Sequence, residues 1–106
     1  MPEAFPGPGS IVIAYLHAPR DRFWGVLRSI DAVGVVIHGI DLNSFDDWVR
    51  QVAAGGTGLA LSTVFFPLLR VEKVLADSDG GPVPSLAQQF QRRVGRTLPD
   101  FLESQG

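Results

Sequence analysis

The chain contains no cysteine. That excludes disulfides, thiolate metal sites and a cysteine nucleophile among its own residues. Histidine is scarce, with only His17 and His38, and Lys73 is the single lysine. No apolar run approaches the ~20 residues of a membrane-spanning helix. The first ten residues hold three prolines, two glycines and Glu3, with no basic stretch leading into an apolar one. They do not read as a signal peptide, and a cytoplasmic location with no membrane partner is the expectation. Neither sign of charge dominates: nine Lys+Arg stand against eleven Asp+Glu, a net charge of -2. The field of a general nucleic-acid binder is therefore missing, though a local site is not excluded.

What is present suits a folded chain. Hydrophobic residues make up 45% and charged residues 19% of 106 residues. This predicts one globular domain with a modest core. Residues 1–10 read as a flexible or extended arm. Residues 11–16 form a continuous apolar run and predict a strand. Residues 17–21, with Pro19, predict a loop, and residues 22–30 a second strand. A turn at 31–34 leads to a third strand over 35–37, reaching as far as Gly39, so the second and third strands predict an antiparallel hairpin.

The period then changes. Ser44 is placed to cap a helix in which Phe45, Trp48, Val49 and Val52 share one face, closed by Gly55 and Gly56. Residues 61–66 and 68–76 predict two further strands, broken by Pro67 at an edge, bulge or bend. After a polar linker over 77–84, Ser85 with Gln88 three positions on predicts a second helix, ended by Gly95. Thr97, Pro99 and Asp100 open a further helical turn. The expected fold is mainly β: a small five-stranded barrel over 11–77, with a helix inserted at 44–55 and a helical tail over 85–102. Both faces of the strands are apolar. Trp24 and Val26 oppose Phe23, Gly25 and Leu27, so the second face needs cover from the helices or from another copy. Trp24, Val26, Tyr15 and Phe66 are the candidate surface for a homo-oligomer or partner.

Phe23, Gly25, Leu27, Ile30 and Asp31, followed by the apolar strand 35–37, resemble the first motif of the Sm/LSm family. Residues 64–66 and 71–75, ending at Asp77, resemble its second. The resemblance covers about two-thirds of the chain and implies a strongly bent, SH3-like barrel with a tendency to form rings; the family usually binds RNA, a property that the departures at Gly34, Pro67 and Leu68 do not carry over to this chain. The RNA site it implies comprises Asp31, Gly34, Arg28 and Arg70. The sequence departs from the family at Gly34, where the turn carries Asn, and at Pro67 and Leu68, where the family has Arg-Gly.

Candidate chemistry is sparse. His17 lies near Asp21 and His38 near Asp41, pairings that suit a general base or a metal ligand. An exposed loop histidine accounts for each equally simply. Asp41, Asn43, Asp46 and Asp47 start like a calcium loop but place Asp46 where the turn needs glycine. Acidic residues at a helix start are also explained by capping and the helix dipole. Arg20, Arg22 and Arg28 surround strand two, and Arg92, Arg93 and Arg96 cluster in the tail; each set could grip phosphate or simply form a solvated face. No cofactor is implied. The reading is a non-catalytic interaction or assembly module that homo-oligomerises. Two alternatives remain: an Sm-like RNA-binding protein with an altered site, and an enzyme using His17, His38 and the acidic loop.

Overall fold

The computed structural model describes residues 7–56, 59–78 and 84–105. It divides into two compact units, one spanning Met1–Ser44 with Leu61–Ala76, the other Phe45–Ala60 with Asp77–Gly106.

The first unit is a five-stranded antiparallel sheet. Its strands are β1 (Ile11–Leu16), β2 (Asp21–Ile30), β3 (Gly34–Asp41), β4 (Ser62–Pro67) and β5 (Val71–Ala76), in the order β4-β3-β2-β1-β5. β1 alternates as expected, with Val12, Ala14 and Leu16 buried and the residues between them half-buried. These three join Leu27, Val35, Ile37 and Phe66 in one apolar cluster, against which Phe23, Ile30 and Val74 pack. Leu27 and Ile30 differ by an odd number of positions, so strict alternation would put them on opposite faces. A bulge resolves this: Leu27 pairs with Ile37 and Ser29 with Val36, leaving Arg28 as the extra residue.

β3 runs through Gly39 to Asp41, longer than the sequence suggests. Gly39 does not end the strand; it lies directly opposite Gly25 on β2. A Cβ on Gly25 would stand 2.5 Å from the Gly39 Cα, and one on Gly39 would stand 2.6 Å from the Gly25 Cα. The two strands cross so closely there that neither position has room for a side chain.

The closed barrel expected from the sequence is not completed by hydrogen bonds, because among the described residues β4 pairs only with β3 and β5 only with β1. Pro67 explains part of this. It has no N–H for a ladder and is the last residue of β4. Residues 68–70, read from the sequence as strand, instead form a short 3-10 turn, Leu68–Arg70. The Leu68 N–H donates to the Val33 carbonyl at 3.0 Å. Within the N-terminal segment, Gly9 N–H donates to Leu27 O and Leu27 N–H donates to Ser10 O, both at 2.8 Å. Residues 9 and 10 are thus tied to β2, while residues 1–6 of the expected flexible arm lie outside the described residues.

The second unit is helical: α1 (Phe45–Ala53), α2 (Leu86–Val94) and α3 (Leu98–Gln105). Its centre is aromatic. Trp48 stacks on Phe90 with centroids 5.0 Å apart, and Phe101 meets both rings edge-on at 5.9 and 5.4 Å. Ser85 Oγ accepts the Gln88 N–H, and Gly95 closes α2 in the left-handed region at φ 88°. The Asp77 carboxylate accepts from Leu86 N–H and Ala87 N–H, each at 2.9 Å, giving the α2 start a second cap. Thr97 caps α3 through Asp100 N–H at 3.2 Å. No helix among the described residues is long and apolar enough to cross a membrane.

Candidate functional site

The residues expected at a partner surface sit in four different environments. Trp24 is fully buried and Phe66 nearly so, its ring edge-on to Phe23 at 5.1 Å. A side chain with no accessible area adds no contact area to an interface, so neither residue offers open surface within this chain. Val26 is half-buried between Ile11 and His38. Tyr15 is half-buried, with the Lys73 ammonium 4.8 Å from its ring centroid. Exposed apolar area lies elsewhere, at Val33, Phe65, Leu68, Leu69 and Leu75. No local pattern marks this, because the same apolar residues read equally well as core.

Three of the four residues of the implied RNA site, Asp31, Gly34 and Arg70, are engaged by the fold itself, and Arg28 is exposed. Asp31 Oδ1 accepts from Val33 N–H at 2.8 Å and Gly34 N–H at 3.2 Å, a side-chain turn that closes the β2–β3 hairpin. Gly34 is buried, and a Cβ there would stand 2.7 Å from the Phe65 ring. Arg28 is the exposed bulge residue of β2. Arg70 donates from Nε to the His17 carbonyl at 2.9 Å and from its terminal nitrogen to the Pro19 carbonyl at 3.3 Å. It clamps the β1–β2 loop.

The histidines do not meet. His17 is exposed in that loop, and its backbone N–H donates to Arg70 O at 3.0 Å. His38 Nδ1 lies 2.8 Å from Thr63 Oγ1 across β3 and β4. Burial, and then the positive Arg28 nearby, hold the His38 imidazole below its ordinary value of 6.5. The acidic stretch is also divided. Asp46 pairs with Arg93 at 2.6 Å, and that guanidinium holds its carboxyl below the usual range; Asp47 pairs with Arg50. Asp41 Oδ1 accepts the Asn43 N–H at 2.7 Å. Burial, and then a hydrogen bond shared with the neighbouring Asp21 carboxyl, push Asp41 up from 3.8. Among the described residues, no three His, Cys, Asp or Glu side chains stand together as a metal set.

One concave site does emerge, within the sheet unit. A cavity of about 480 Å³ opens where the β1–β2 loop, the start of β5 and the short turn Leu42–Ser44 meet. Tyr15 and Leu16 line it from β1, Arg20, Asp21 and Arg22 from the β1–β2 loop and the start of β2, and Glu72 and Lys73 from β5. Glu72 and Lys73 are sequence neighbours and would face opposite ways in a regular strand. Here Tyr15 pairs with Lys73 and Leu16 with Val71, so Glu72 is the extra residue of a bulge and both side chains line the same cavity. Asn43 contributes an amide, positioned by its backbone bond to Asp41. Nothing local in the sequence marks this site. Arg20 and Arg22 stood out as cations, but Glu72 and Lys73 join them only through the bulge and the β1–β5 pairing. Compared with known proteins, the chain matches no protein-family model, no curated protein and no solved structure.

Proposed function

We propose that this chain is a non-catalytic assembly module that homo-oligomerises through the edges of its sheet, and that the sheet unit is a strongly bent, SH3-like sheet of the Sm-like kind. The carrying observation is the pair of open edges. Among the described residues β4 and β5 each have a partner on one side only, and Phe65 on β4 and Leu75 on β5 are 51% and 43% exposed. Leu69, in the turn joining the two strands, is 89% exposed. Chains that stay single usually blunt such edges with charge, and β4 carries none in Ser62–Pro67. Antiparallel pairing of one copy's β4 with the next copy's β5 would satisfy both edges, and repetition of that head-to-tail contact closes into a ring when the rotation permits. The close Gly25–Gly39 crossing and the return of β5 to pair with β1 support the bent-sheet reading. An RNA-binding reading gains no such support, since Asp31 and Arg70 direct their polar groups to their own backbone.

Light scattering on the gel-filtered protein tests this. The expected result is a discrete oligomer without nucleic-acid absorbance, dispersed to monomer by Phe65→Arg or Leu75→Glu with unchanged circular dichroism. A wild-type monomer at about 100 μM, or an oligomer indifferent to both substitutions, overturns it.

A further inference from the structure

The cavity at the β1–β2 loop borders the β5 edge through Glu72 and Lys73, and we infer that it binds a small molecule carrying a phosphate group. Its volume of about 480 Å³ falls within the ~300–1,000 Å³ usual for small-ligand sites. Three cations line it, Arg20, Arg22 and Lys73, and among the described residues none of them makes an ion pair. The helical unit contrasts with this: there Arg50, Arg93 and Arg96 each pair with an aspartate. Tyr15 pairs with Arg22 on one side and with Lys73 on the other, so two strands bring a guanidinium and an ammonium to the same lining, with Arg20 two positions before Arg22, a set that suits the several oxygens of a phosphate.

The walls are held before any ligand arrives. Arg70 fixes the loop that carries Arg20 through two carbonyls, and the β5 bulge aims Lys73 and Glu72 into one space. Such preorganisation reduces the ordering cost of binding. The remaining lining selects for more than a bare anion. Tyr15 supplies a ring and a hydroxyl, Asn43 an amide, and Asp21 and Glu72 acceptors for ligand hydroxyls. A compact phosphate ester with a polar, hydroxylated body fits this arrangement, and the class includes nucleoside monophosphates and sugar phosphates.

Isothermal titration of the full chain tests the assignment, with inorganic phosphate, adenosine 5′-monophosphate and glucose 6-phosphate as probes. At least one ester is expected to bind more tightly than inorganic phosphate. Arg22→Ala and Lys73→Ala should each weaken that binding roughly tenfold, the scale of one lost charge-assisted hydrogen bond. Arg28→Ala removes the same charge from β2 outside the cavity and should leave affinity within twofold. Absence of binding by all three probes overturns the inference. So does an equal loss in Arg28→Ala, which would mean diffuse charge attraction. Because Glu72 and Lys73 lie on β5, light scattering on each titrated sample reads oligomeric state separately, so failure of the assembly reading is told apart from failure of binding.

Discussion

Replacing Gly25 by alanine should be among the most damaging single-methyl additions this chain can undergo. A Cβ at Gly25 meets backbone on the facing strand, with the Gly39 Cα 2.5 Å away. Real Cβ contacts essentially never fall below 3.0 Å, so something must move. A clash with a flexible side chain is relieved by a rotamer change, but here the obstacle is the β3 main chain, fixed in register on both sides by Trp24–Ile40 and Val26–His38. Ordinary overpacking costs about 1–3 kcal/mol. Displacing a central strand that carries the buried Val35 and Ile37 belongs at or above the top of that range, roughly 3 kcal/mol or more. With a urea slope of about 1.5 kcal/mol per molar, the unfolding midpoint would fall by about 2 M. Against a total stability of roughly 5–15 kcal/mol, the variant would be marginal. Gly7→Ala is the matched control: nothing lies within 4 Å of a Cβ there, so its midpoint should barely move. A Gly25→Ala protein within about 0.5 kcal/mol of wild type would refute the close crossing of β2 and β3.

Removing the Asp77 cap should destabilise the helical unit by about 1–2 kcal/mol, read as a lower denaturation midpoint for Asp77→Ala. Asp77→Asn should recover only part of the loss, because each carboxylate oxygen serves a different N–H and an amide retains one acceptor. Asp41 titrates above 3.8 in the folded chain, so the folded state holds its proton more readily than the unfolded one. Its contribution to stability is therefore greatest at low pH and is lost as pH rises through the folded value. Asp21→Asn should lower the Asp41 pKa only partway, since burial is the larger cause; carboxyl-carbon NMR reads this, and an unmoved titration would remove Asp21 from the account. His38 has the opposite sign: its folded value lies below 6.5, so the stability it contributes is complete above 6.5 and falls away on acidification through the folded value. Its ring-proton titration should move upward modestly in Arg28→Ala.

The elements that were legible in the sequence are those whose cause is local. Residues 11–16 form an unbroken apolar run between polar neighbours, and β1 occupies just those residues. Ser85 and Gly95 bound α2 because a capping hydroxyl and a left-handed glycine act within one turn of the chain. Where the cause is a distant strand, the reading fails in a consistent direction. Gly39 looks like a strand ending until Gly25 stands opposite it, and only the pair explains why β3 continues to Asp41. Leu68 and Leu69 look like strand because they are apolar, yet Pro67 and the Val33 carbonyl hold them in a turn and leave them at the surface. The candidate site follows the same rule. Arg70 lies near a family motif, but its partners are the His17 and Pro19 carbonyls, 53 and 51 positions away, whereas Asp31 bonds to Val33 and Gly34 within its own turn. The cavity at the β1–β2 loop depends on one bulge that turns Glu72 to the side of Lys73. A bulge has no periodicity of its own, so period-based reading assigns these two residues to opposite faces and separates the very groups the fold brings together.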